Sequence, residues 1–148
     1  MSLNPADGVI AILVAYDRSE HARRALERAA GLATNGVTLA VVAVALPSAT
    51  SQNPTLGSHA VDPIETEEVR KSLAEARALL AERGIQAKAI EGHGDPGDVI
   101  VQQARELGAD LIVLGTRGLN LAERAVLGSV STRVLHHAPC DVLVVRAG

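Results

Sequence analysis

Aromatic side chains are almost missing from this 148-residue chain, which has no Phe, no Trp and one tyrosine, Tyr16. The base-stacking platforms of single-strand nucleic-acid binders therefore have nothing to be built from. Basic charge is short as well: 14 Lys and Arg against 17 Asp and Glu leave a net charge of −3. That is the wrong sign for a surface that neutralises phosphates along a nucleic acid. The lone cysteine, Cys140, has no partner for an internal disulfide or a cysteine-based metal cluster. No apolar run approaches the roughly 20 residues that span a bilayer. Met1 is followed by polar Ser2, Asn4 and Asp7 rather than by a charged and then apolar leader. A cytoplasmic protein that engages neither nucleic acid nor membrane is expected.

What is present is ordinary for a globular chain: 47% hydrophobic and 21% charged residues. The length suits a single domain over residues 1–148, burying roughly 68–70% of the surface of its unfolded chain. Its core has to be made of Ala, Val, Leu and Ile. The excess of Arg over Lys and the many alanines read as genomic GC content rather than function.

Two kinds of segment alternate along the chain. Val9–Tyr16 is a continuous apolar run, the pattern of a parallel strand covered on both faces. Ser19 is placed to cap a helix in which Ala22, Ala25, Leu26, Ala29, Ala30 and Ala33 recur at helical spacing. Asn35-Gly36 breaks it, and a second apolar run covers Val37–Leu46. Residues 47–63, rich in Pro, Ser and Gly, read as a long flexible loop, of the kind that serves as a lid or is simply mobile. A helix over 64–83 follows, with Leu73, Ala76, Leu79 and Leu80 on one stripe and Gly84 at its end. A weaker strand covers Ile85–Glu91. Asp95-Pro96 supplies a cap and first-turn proline for a helix through Leu107, closed by Gly108. Short strands over 110–114 and 140–146 flank a last helix over 128–137. The order predicts an open five-stranded parallel sheet of flavodoxin/Rossmann-like α/β class, with helices on both faces. Its ligand belongs beyond the carboxyl ends of the strands, where strand order reverses.

The segment Gly115-Thr-Arg-Gly118 leaves a buried strand at that end, and nine residues later Gly128-Ser129 opens a helix. Glycine amides approach an anion without Cβ obstruction, and a helix N-terminus adds unpaired donors and the positive end of its dipole. Ser129 and Ser131 add hydroxyls, so a phosphate chain suits the arrangement. Arg117 and Arg124 are candidate phosphate contacts, although lone loop arginines are commonly solvated. Asp17, at the exit of the first strand, either meets a ligand or caps the first helix. His136 and His137 end a helix, where the dipole favours them; without convergent partners they make no metal site. Cys140 reads as a small hydrophobe.

With Gly-x2-Gly-x9-Gly-Ser intact at Gly115, Gly118, Gly128 and Ser129, the chain resembles the universal stress protein family, in its ATP-binding branch. The resemblance extends from Asp17 and Ser19 through Gly94-Asp95-Pro96 to the Ala-Pro-Cys-Asp-Val-Leu-Val-Val segment at its end. It implies that Asp17 bonds ribose or adenine, that Ala15 and Val42 line an adenine pocket, and that Gly115, Gly118, Gly128, Ser129, Val130 and Ser131 hold phosphates and ribose. Two positions depart from the family pattern. Arg18 stands where many members carry Gly, and Val41 where His is common.

The function this implies is a stress-response regulator that binds ATP, with or without Mg2+, and hydrolyses it slowly or not at all. ADP, AMP or cyclic AMP as ligand, or action through protein contacts alone, are alternatives. A true ATPase or phosphotransferase would need a P-loop lysine or a carboxylate pair for magnesium, and the sequence has neither. A phosphorelay receiver would need an acidic cluster after the first strand, and an FMN carrier a phosphate loop there. Finally, the apolar last strand must be paired or covered. Pairing of residues 142–146 with a second copy gives a two-fold homodimer, which the resemblance also implies.

Overall fold

The computed structural model describes residues 10–34, 36–45, 63–116 and 127–146. Five strands and four helices alternate: β1 (Ile10–Ala15), α1 (Glu20–Leu32), β2 (Val37–Ala45), α2 (Pro63–Ala81), β3 (Ala87–His93), α3 (Pro96–Leu107), β4 (Leu111–Gly115), α4 (Ser129–His137) and β5 (Asp141–Val145). All strand pairs are parallel, and the sheet order is β3-β2-β1-β4-β5. This is the α/β class expected.

The continuous apolar runs acquire their meaning from the two-residue period of a strand. Ile12, Val14, Leu39, Val41, Leu111 and Val113 point to one face, where Ala22, Ala25, Leu26 and Ala29 of α1 and Val69, Leu73, Ala76 and Leu80 of α2 cover them. Leu13, Val42, Ile112 and Leu114 point to the other, against Ile100, Val101 and Ala104 of α3 and Val134 of α4. Each Leu or Ile so buried contributes roughly 1.5–3 kcal/mol.

The helix ends follow local chemistry. The Ser19 side chain accepts the Ala22 N–H at 3.1 Å, and Asp95 accepts that of Asp98 at 3.1 Å with Pro96 in the first turn. Gly108 closes α3 at φ 62°, a left-handed position that costs glycine nothing.

Several boundaries and one face differ from the sequence pattern. β3 begins at Ala87 rather than Ile85, because the Ile85 N–H is bonded to the Leu80 carbonyl and completes the turn out of α2. It runs on to His93, which pairs with Ala45. Pro63, expected in the loop, is instead the first residue of α2; the rest of that loop, 47–62, lies outside the described residues. Leu79 is exposed. The buried stripe of α2 steps through Val69, Leu73, Ala76 and Leu80, which turns Leu79 outward.

Candidate functional site

Strand order reverses between β1 and β4, so the candidate site expected for this fold class is the point where Ala15-Tyr16-Asp17 and Gly115-Thr116 leave the sheet. At the first exit Asp17 Oδ1 accepts the Ser19 N–H at 2.9 Å. The turn so closed holds Arg18 at φ 67°, and Arg18 is the single non-glycine residue with positive φ among the described residues. A left-handed conformation costs an ordinary residue about 1 kcal/mol or more. This explains why glycine suits the position in the family that the sequence resembles. The Arg18 guanidinium is ion-paired with Glu68 on α2, and that contact holds the Glu68 carboxyl below its ordinary range.

Tyr16 turns away from this exit into the α1/α2 face. Its N–H donates to the Val42 carbonyl at 2.9 Å, and its phenol donates to Glu75 Oε2 at 2.9 Å. Burial, with the Glu75 carboxylate beside it, pushes the phenol up to about 12.

Thr116 organises the second exit. Its N–H donates to the Val145 carbonyl of β5 at 3.0 Å, and its own carbonyl accepts the Gly128 N–H at 2.6 Å. Its hydroxyl lies 2.6 Å from Nδ1 of His21 in the first turn of α1. One buried residue thus ties β4, β5, α1 and the start of α4 together. The Ser131 hydroxyl, aimed at the carbonyls of Thr116 and Gly128 at 3.0 Å each, completes the tie. Sequence reasoning passed over Thr116, Tyr16, His21 and Glu75; the Thr inside the glycine motif was the one available signal.

The expected site residues separate into groups. Ala15 and Val130 are half-buried on the α3/α4 face of the sheet, and Val42, the partner of Ala15 on β2, is fully buried. Asp17 and Ser129 are exposed, whereas Ser131 is buried and turned inward. Gly128 precedes α4 in extended conformation with no side-chain bond to the first turn. Gly115 has a packing reason to be glycine: a Cβ there would lie 2.6 Å from His21 Cβ and 2.8 Å from its carbonyl carbon. Arg117, Gly118 and Arg124 lie outside the described residues. His136 and His137 are exposed at the end of α4. The Cys140 thiol is pushed up by burial and by Asp141 and Asp110, which keeps it protonated and unreactive at neutral pH.

Residues 11–146 match the universal stress protein family. The chain belongs to that family. Among curated relatives, universal stress protein YxiE of Bacillus subtilis is 35% identical over 91% of this chain and 97% of its own. Universal stress protein Sll1654 of Synechocystis is 38% identical over 90% and 83%. Among solved structures, UspA from Lactobacillus plantarum superposes with a TM-score of 0.72 at 30% identity, covering 94% of this chain and 99% of that one. A universal stress protein from Archaeoglobus fulgidus, solved in complex with dAMP, has a TM-score of 0.71 at 26% identity over 93% and 97%. Another universal stress protein, in complex with cAMP, has a TM-score of 0.69 at 25% identity over 94% and 98%.

Proposed function

We propose that this universal stress protein is a regulator that binds an adenine nucleotide, with ATP as its ligand, at the carboxyl ends of β1 and β4, and that it hydrolyses ATP slowly or not at all. The observation that carries the reading is the start of α4. Gly128 is held by its own N–H on Thr116 and offers no side chain to the first helical turn. The donors of that turn are therefore open to an anion at the point where strand order reverses. The dAMP and cAMP complexes of family members support the ligand class.

In this reading Ala15 and Val130 present the apolar surface for the base, with Val42 next to Ala15 on β2, and Asp17 accepts ribose hydroxyls. The amides of Ser129 and Val130, with Gly115 and with Arg117 and Gly118 beyond the described segment, meet the phosphates, while Gly128, its N–H held by Thr116, leaves them room by having no side chain. β5 is an edge strand whose Val142, Leu143 and Val144 are half-buried. Its pairing with a second copy through residues 142–146 makes the working form a homodimer, acting in the cytoplasm.

Mass spectrometry of nucleotide released by heat, with ATP calorimetry in the presence and absence of magnesium, tests the reading. Intact ATP at about one per chain is expected, and Gly128→Val lowers its affinity at least tenfold (about 1.4 kcal/mol) while the fold survives. A Gly128→Val protein that binds ATP like wild type overturns the site. Turnover to ADP at an ordinary enzymatic rate, about one per second or faster, overturns the regulator in favour of an enzyme.

A further inference from the structure

Two clefts flank α1, and their charges differ. One, of about 390 Å³ between α1 and α2, has Arg23 and Arg83 set against Glu27, Glu75 and Glu82, and Arg23 is bonded to Glu75 at 2.9 Å. The other, of about 360 Å³, lies between α1 and the end of β5. Arg24, Arg28 and Arg146 line it with one carboxylate, Glu27, and with apolar Leu32 and Val145.

Several arginines elsewhere in the described residues are paired: Arg18 with Glu68, Arg70 with Glu91, and Arg133 with Asp98. Arg24, Arg28 and Arg146 have no ion pair among the described residues. Arg24 and Arg28 are four apart on α1, a spacing at which like charges repel across one helix face. An acidic protein thus gathers around one cleft three guanidinia with no ion pair among the described residues, and the single carboxylate lining it, Glu27, also lines the neighbouring cleft. Guanidinium groups present forked donors that match phosphate oxygens. The volume is at the small end of ligand pockets, and the apolar lining is slight.

We propose that the α1–β5 cleft is a second anion site, distinct from the strand-end site, that takes a small molecule carrying two or more linked phosphoryl groups. Three cations against one carboxylate match a multiply charged ligand rather than a single carboxylate. Strand pairing through β5 uses its backbone edge, whereas the cleft opens on the α1 face of the sheet. The site does not depend on the nucleotide reading, and it shares Val145 and Arg146 with the segment proposed to pair in the dimer.

The test uses tripolyphosphate, which lacks both base and sugar, titrated calorimetrically into the full chain at low and moderate salt. Saturable binding at one per chain is expected. Arg28→Gln and Arg146→Gln, both exposed positions, each weaken it fivefold or more and flatten its salt dependence. Absence of saturable binding at 10-millimolar order of probe overturns the proposal. So does binding that survives both arginine variants and disappears in Gly128→Val, which assigns the probe to the strand-end site. The nucleotide reading is judged separately, by ATP binding to the same variants.

Discussion

The two faces of the sheet are built from the same strands and residue types, yet they are finished differently. On one face α1 and α2, of 13 and 19 residues, bury Ile12, Val14, Leu39, Val41 and Val113. On the other, α3 and α4 have 12 and 9 residues. They bury Leu13, Val42, Ile112 and Leu114 and leave Ala15, Val44, Ile90, Val130, Val142 and Val144 half-covered, where the first face leaves Val37, Ile85, Ala87, Ala89 and Leu143. At 1.5 Å per residue, α4 is only about 14 Å long, and it begins late because the chain first passes through the segment between Gly115 and Gly128. The period of a strand dictates that both faces are apolar; the lengths of the helices decide which one stays open. The candidate site lies where the cover runs out.

Tyr16 is the sharpest test of how dry the closed face is. The folded chain keeps the phenol protonated to about pH 12, while in the unfolded chain it ionises near its ordinary value of about 10. Stability from this group is therefore complete below pH 10 and is lost as pH rises from there towards 12, by about 3 kcal/mol in all. Urea unfolding across that window is expected to show the slope in wild type and to lose it in Tyr16→Phe. Equal slopes in the two proteins would mean that water reaches the phenol and that the closed face is open at its end.

Gly115 decides to which face the glycine motif answers. In a binding loop its missing Cβ serves the ligand; here the space is already taken by the His21 backbone and Cβ. Gly115→Ala is expected to destabilise the fold by about 2 kcal/mol, the usual size of an overpacking penalty. Thermal unfolding without nucleotide reads this directly. A variant of wild-type stability that has lost nucleotide affinity would return Gly115 to the ligand.

This double meaning explains what was legible in the sequence. Local chemistry was: the caps at Ser19 and Asp95, the stop at Gly108 and the buried strands follow from neighbouring residues. The parallel sheet with helices on both faces followed from the alternation of elements, whereas the order β3-β2-β1-β4-β5 did not, because alternation does not say which strands are neighbours. Contacts between distant parts were not. Thr116 meets His21 and Val145, and Tyr16 meets Glu75, across separations that leave no periodic trace. For the same reason Leu79 was misplaced, since a stripe of leucines does not say which of two adjacent positions meets the sheet. Ser131 was legible as a hydroxyl beside a helix start, but not as one turned inward to hold that start in place.

Arg18 sits on the boundary between the two faces, and the smallest effect is expected there. Its backbone is left-handed, so Arg18→Gly relieves about 1 kcal/mol of conformational cost. The same change removes a half-buried ion pair with Glu68 that still reaches water, which contributes no more than that backbone cost. The variant is therefore expected to unfold at a slightly higher urea concentration than wild type, while Glu68→Gln, which breaks the pair and keeps the backbone, barely moves the midpoint. If Arg18→Gly is instead less stable, the link to α2 outweighs the backbone cost. Arg18 would then belong to the cover of the closed face rather than to the entrance of the open one.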